Sequence, residues 1–150
     1  MEFLIGLLIV MFIIPSGKID YYLQDYNTEY KILLNEYCPS KKYFNPNKIQ
    51  IKFTDFKDYR KVKEQRDTVA LCRRMYPVAF TIEVDKNTWE MLSEGHRRQL
   101  FFHEAAHCYL GIDHNDSIPH YMNSYVDFKL SENVVREQVI EDIKRTCNTK

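Results

Sequence analysis

The chain has 150 residues with 21 basic and 21 acidic side chains, so its formal net charge is zero. No overall electrostatic field therefore draws it to nucleic acid or to an acidic membrane surface, and we expect no nucleic-acid partner. The length suits one domain with one hydrophobic core.

The first seventeen residues differ from the rest of the chain. Positions 3–14 form an apolar run of twelve residues, and Pro15-Ser16-Gly17 follows it. This length suits the core of a secretory signal peptide and falls short of the ~20 residues that a membrane-spanning helix needs. We predict a signal peptide at 1–17, or alternatively an N-terminal membrane anchor, and one domain at 18–150. Either alternative places that domain outside the cytoplasm, as a secreted or an anchored protein.

The spacing of apolar residues predicts an α+β domain. Residues 19–37 have helical periodicity, 48–53 alternate strictly as in a half-buried strand, and the charged stretch 55–66 predicts an exposed connection or short helix. Apolar runs follow at 69–72 and 78–84, the second a predicted strand. A turn at 85–87 then leads into a short helix capped by Thr88. Longer helices are predicted from Ser93 or Glu94 to Gly111 and, with Ser131 as cap, to about Cys147.

A metal-binding pattern lies within the helix that ends at Gly111. His103 and His107 are four residues apart, so they stand one turn apart on the same face and can share one metal ion. Glu104 lies near that face, where its carboxylate can act on water without binding the metal. The opposite side is covered mostly by large apolar residues and alanine, so the helix can pack its back on a sheet.

The chain offers a third ligand just beyond this helix. Gly111 can adopt the left-handed conformation that ends a helix, and the chain then returns with Asp113 and His114. Three protein ligands leave the fourth position of a zinc ion open, which is the arrangement of catalytic sites and not of structural ones.

At these residues the chain resembles the metzincin clan of zinc peptidases. The clan signature is HExxHxxGxxH followed by a turn that contains methionine. Here Gly111 and His114 each stand one place late but keep their mutual spacing, and residues 117–125 resemble the methionine turn, with Met122 in the methionine position. The resemblance implies His103, His107 and His114 as zinc ligands, with Asp113 as the alternative third ligand.

The resemblance also implies a fold and an activity. The fold would be a small mixed sheet packed on an N-terminal helix and an active-site helix, followed by the methionine turn and a C-terminal helix. The activity would be peptide-bond hydrolysis, with Glu104 as the general base and one Zn²⁺ as the cofactor. Tyr125, in competition with Tyr121, would contact the metal or the oxyanion. A peptide substrate would lie along an edge strand at 68–73, where Arg73 and Arg74 either contact substrate or form a solvated rim. We expect a monomer.

Two other interpretations stay open. A gluzincin-type peptidase would take its third ligand from a later helix, as Glu132 or Glu137. A non-catalytic zinc-binding module on a peptidase fold would keep the metal without the reaction.

The cysteines and the remaining histidines give weaker predictions. The four cysteines, at positions 38, 72, 108 and 147, permit three pairings in an exported chain, and we expect at least one disulfide. Cys108 is expected to be a buried thiol or a half-cystine. His96 is expected at the surface. His120 is predicted to be a solvated loop residue, with a pocket-lining role as the alternative.

Overall fold

A computed structural model describes residues 17–40, 48–56, 68–75, 79–126 and 128–149. The predicted leader at 1–17 lies almost wholly outside these residues, as does most of the charged stretch at 55–66. Within the described part of the chain, each helix is too short or too polar to cross a membrane.

The sheet is small and mixed, as predicted. Its strands are β1 (Ile49–Thr54), β2 (Ala70–Met75) and β3 (Ala79–Asp85), in the order β1-β3-β2. β3 pairs with β1 in parallel and with β2 in antiparallel orientation. β3 is almost entirely buried, whereas the second half of β2 is exposed, so β2 forms an edge among the described strands.

The N-terminal helix α1 (Tyr21–Tyr37) begins two residues later than predicted. The Asp20 side chain accepts a hydrogen bond from the backbone N–H of Tyr22 (3.1 Å) and caps the helix. Ile19, which the periodicity placed in the helix, instead forms a parallel bridge with Ile51 of β1. The chain therefore extends the sheet briefly before it turns into α1.

The short helix α2 (Lys86–Met91) corrects the predicted turn and its cap. The Asp85 carboxylate accepts hydrogen bonds from the backbone N–H (3.0 Å) and hydroxyl (2.7 Å) of Thr88. It also accepts one from the backbone N–H of Phe56 (3.3 Å). Asp85 is thus the cap, because its side chain accepts the N–H of the third helical residue, and the helix begins immediately after it.

The two longer helices are confirmed. Helix α3 (Glu94–Ala105) is capped by Ser93 and continues without a break into a π-helical turn, Ala106–Leu110. Helix α4 (Glu132–Asn148) is capped by Ser131. With α1 and α2 they make four helices in the described residues, and the domain is α+β.

The back of α3 packs between α1 and the sheet. The ring of Tyr109 lies 4.8 Å from that of Phe80 on β3 and 5.6 Å from that of Tyr30 on α1, measured between centroids. The buried Tyr109 hydroxyl donates a hydrogen bond to Asn27 of α1 (2.7 Å). The other face of the helix, which carries His103 and His107, lines a cavity.

Two disulfides join elements that are distant in the sequence. Cys38 pairs with Cys147 and joins the end of α1 to the end of α4. Cys72 pairs with Cys108 and joins β2 to the π-helical turn. The expected disulfide is therefore confirmed, and Cys108 is a half-cystine.

Candidate metal centre

Three imidazole rings meet at the end of α3. The Nε2 atoms of His103 and His107 are 3.1 Å apart, and those of His107 and His114 are also 3.1 Å apart. The ligand nitrogens of all three lie within 4.8 Å of one another. His103 is buried, His107 is half-buried and His114 is exposed, so the cluster opens toward solvent on one side.

The geometry of the helix end brings His114 back to the other two. The π-helical turn holds more residues per turn than an α-helix. Gly111 then adopts the left-handed conformation (φ 68°), and its N–H donates to the carbonyl of His107 (3.2 Å). The N–H of Ile112 donates to the carbonyl of Ala106 (3.5 Å). The chain reverses here, and His114 returns over His107.

Backbone carbonyls fix the orientation of two of the rings. Nδ1 of His103 is 2.8 Å from the carbonyl oxygen of Tyr121, and Nδ1 of His107 is 2.6 Å from that of Ile112. A carbonyl oxygen can only accept, so each Nδ1 carries the proton and donates it. Each Nε2 then presents a lone pair to the centre of the cluster, as in the outer shell of known metal sites.

The cluster fits a divalent cation. Burial lowers the pKa of His103 to about 4 and also lowers the pKa of His107, so both rings are neutral at pH 7. Neutral imidazoles whose lone pairs face each other at 3.1 Å repel unless a cation lies between them. Tetrahedral zinc with Zn–N bonds of ~2.0–2.1 Å would separate its nitrogen ligands by roughly 3.3 Å. The donor set also suits copper, iron and nickel, so the geometry does not select the metal.

Glu104 lies in the same cavity but outside the cluster. Its side chain is buried, and burial raises its pKa to about 8. The backbone N–H of Cys72 on β2 donates to the carboxylate and lowers this pKa in part. The edge strand thus orients the carboxylate, a role for Cys72 that the sequence did not reveal because it depends on which β2 amides point away from β3.

The turn that contains Met122 contacts the cluster through the backbone beside this methionine. Met122 is fully buried, its carbonyl accepts from Asn115 (2.8 Å), and its N–H donates to Nδ1 of His120 (3.1 Å). The carbonyl of the preceding Tyr121 is the one that holds His103. This segment therefore positions the cluster through its backbone.

The prediction for His120 is wrong. Its side chain is buried and does not line the cavity that contains the cluster. Its Nε2 lies 3.9 Å from the buried Asp142 carboxylate on α4, because the turn packs onto that helix. His96, expected at the surface, is partly covered by Phe128, with ring centroids 4.7 Å apart.

The two candidate tyrosines face different surroundings. Tyr121 is fully buried, and burial together with nearby Tyr30 and Asp142 raises its pKa well above the usual value. Tyr125 is exposed and lines the cavity. Only Tyr125 of the pair is therefore available to a bound molecule.

The alternative third ligands lie outside the cluster. Asp113 is exposed and lines the cavity, but the metal-binding group among the described residues consists of the three histidines. Glu132 forms an ion pair with Arg98 of α3 (3.2 Å), and Glu137 is an exposed residue of α4. The geometry thus favours His114 over these residues as the third metal ligand.

The histidine cluster and Glu104 line a cavity of about 950 Å³. Its walls are β2, α3 and the loop that follows Gly111, and both Arg74 and Tyr125 contribute to it. Arg73, the neighbouring arginine on β2, instead pairs with Glu83 (3.1 Å). One of the two arginines that the sequence singled out is therefore at the cavity.

No protein-family model matches the chain, and a search of curated proteins and of solved structures gives no significant match. The described residues form an α+β domain with a three-histidine group that could hold a metal ion.

Proposed function

We propose that this protein is a zinc-dependent endopeptidase of the metzincin type. His103, His107 and His114 would hold the ion, and Glu104 would act as general base. The observation that carries the proposal is the convergence of three imidazole nitrogens beside a buried carboxyl group in an open cavity. A structural metal site has no need of that carboxyl group or of that cavity.

The helix end supports the metzincin assignment. Gly111 and His114 stand one residue later than the clan pattern requires. The π-helical turn at Ala106–Leu110 accommodates one additional residue, and His114 still reaches His107. The departure from the pattern is therefore compensated locally and does not remove the third ligand.

The chemistry follows from the donor set and from the position of Glu104. A bound zinc ion would supply Lewis acidity, which acidifies water and polarises a carbonyl group. The nearby positive charge would also lower the pKa of Glu104, so that its carboxylate is ionised at neutral pH. Glu104 then takes a proton from the attacking water and transfers it to the departing amine. The Cys72 amide orients the carboxylate during both transfers.

Tyr125 and the edge strand β2 would contact the substrate. Tyr125 lines the cavity, and its hydroxyl would donate a hydrogen bond to the developing oxyanion. β2 lies at the edge of the sheet and along the cavity, so an extended peptide can add to it through backbone hydrogen bonds. Side-chain selectivity would then come from the residues that line the cavity.

We also propose that the protein acts outside the cytoplasm, as a secreted or membrane-anchored enzyme. Two disulfides are consistent with an oxidising compartment. The apolar run at 3–14 would direct export.

The test measures metal content and peptide cleavage on the same preparation. We expect one zinc per chain, cleavage of a mixed peptide library, loss of cleavage on chelation, and recovery with zinc. Glu104→Gln should keep the zinc and reduce turnover by orders of magnitude, because Gln cannot accept the proton. A Gln variant as active as the wild type would remove Glu104 from this role, and zinc without any cleavage would favour a non-catalytic module.

A further inference from the structure

The side chains of β2 alternate between two environments. Cys72 faces α3 and the π-helical turn that continues it, to which it is bonded through Cys108, and Ala70 is buried on the same side. By the period of two, Arg74 also faces α3, whereas Arg73 faces the opposite side and pairs with Glu83. Two adjacent arginines thus have different surroundings, and only Arg74 lines the cavity.

Arg74 lies over the end of the active-site helix. Its guanidinium occupies the space beside Gly111, where a Cβ atom would collide with Nη1. The left-handed backbone at this position (φ 68°) favours glycine. The negative end of the helix dipole also favours a cation here. Arg74 and His114 line the same cavity, so the positive charge shares it with the proposed metal centre.

A guanidinium in this place is suited to carboxylates. Arginine presents its N–H groups as a planar fork that binds a carboxylate through two parallel hydrogen bonds. The Arg74 side chain is exposed at the cavity wall, so an incoming molecule can reach it. The carboxylates of Asp113 and Glu104 line the same cavity and moderate its charge.

We propose that Arg74 determines specificity and that the enzyme prefers peptides with a carboxylate in the subsite above Gly111. The carboxylate is either the side chain of Asp or Glu or a free C-terminus. This inference rests on the proposed peptidase function. Its structural basis is the position of the Arg74 guanidinium, which lines the cavity beside Gly111, whereas Arg73 lies on the other face of the strand.

The first measurement compares cleavage of matched peptides by the zinc-bound enzyme. In the first set, one peptide of each pair carries Asp or Glu at a given position and the other carries the isosteric Asn or Gln. In the second set, one peptide has a free C-terminus and the other an amidated one. We expect kcat/KM to be roughly tenfold higher for the carboxylate member of one set, as a charge-assisted hydrogen bond would give. The set in which the difference occurs identifies the source of the carboxylate.

Substitutions then assign the preference to Arg74. Arg74→Gln should abolish it, and Arg74→Glu should reverse it in favour of Lys and Arg. Arg73→Glu is the matched control, because it makes the same charge change one residue away, outside the cavity, and should leave the preference intact. Unchanged preference in the Arg74 variants, or no preference in the wild type, would overturn the proposal.

A binding measurement separates this inference from the proposed activity. Fluorescence anisotropy with fluorescein-labelled members of the same peptide pairs is carried out on zinc-bound Glu104→Gln protein, in which the peptide is not consumed. We expect the carboxylate peptide to bind roughly tenfold more tightly, and Arg74→Gln to remove the difference. If the wild type cleaves no peptide, the proposed peptidase function is refuted, but the binding comparison still tests whether Arg74 selects a carboxylate. Equal binding of both peptides would refute that role of Arg74.

Discussion

The buried carboxyl group of Glu104 predicts how the stability of the metal-free protein depends on pH. In the unfolded chain this group ionises near 4.5, whereas the folded protein retains the proton to about 8. Between these values the folded state binds one more proton than the unfolded state, so stability falls as pH rises. Each pH unit costs about 1.4 kcal/mol, which amounts to about 2 kcal/mol between pH 6.5 and 8.

Glu104→Gln should remove this loss, because Gln resembles the protonated acid and does not ionise. The buried histidines have the opposite effect on the pH dependence of stability, and the substitution should not change that effect. His103, with a pKa lowered from 6.5 to about 4, stays neutral when folded but takes up a proton when unfolded, so below pH 6.5 its effect on stability offsets that of Glu104. Burial also lowers the pKa of His107, which adds a loss of stability at low pH. The wild type should therefore be most stable near pH 6.5, and the variant should keep its stability to pH 8.

Urea unfolding of chelator-treated protein, followed by fluorescence of the single tryptophan, measures this dependence. Trp89 is buried, so its emission should report unfolding. A change of about 2 kcal/mol corresponds to roughly 4–8 °C in a parallel thermal measurement. Equal losses in the wild type and in Glu104→Gln between pH 6.5 and 8 would refute the argument. Zinc should stabilise the wild type, since it binds only the assembled histidines.

Three more predictions concern the cavity. His114→Ala should lose zinc while Asp113→Ala keeps most of it, as measured by metal analysis after gel filtration; the opposite pattern would move the third ligand to Asp113. Removing the disulfide between Cys72 and Cys108 by double alanine substitution should lower kcat roughly tenfold with zinc retained, because the amide that orients the general base is no longer held. Removal of the disulfide between α1 and α4 is the control, and an equal drop in kcat there would make the effect one of general stability. Tyr125→Phe should lower kcat by roughly tenfold with little change in KM, and unchanged kcat would exclude an oxyanion contact.

Local signals in the sequence predicted most of the helices. Ser93 and Ser131 cap α3 and α4 because a hydroxyl just before a helix accepts an N–H of its first turn. The same reasoning failed at α2, where Thr88 was predicted as the cap but Asp85, three residues earlier, accepts the N–H of Thr88 and caps the helix. Asp85 also accepts the N–H of the distant Phe56, a contact that sequence spacing could not provide.

In the candidate site, too, local spacing predicted some features, whereas others depend on contacts between distant segments. His103 and His107 could be paired from their spacing, since a helix fixes it. The path to His114 depends on the π-helical turn, for which the sequence carries no simple signal. The burial of His120 depends on packing against Asp142 of α4, and the link between Cys72 and Glu104 depends on strand register. These are contacts between distant segments, which periodicity does not report.

The disulfide between Cys38 and Cys147 spans 109 positions of the chain. A protease cut at any single peptide bond between these cysteines leaves two fragments that remain one covalent molecule. Nicked protein would migrate as a single species without reductant and separate only after reduction. Under the proposed function, a chain cut once by its own activity or by another protease would therefore keep both halves together.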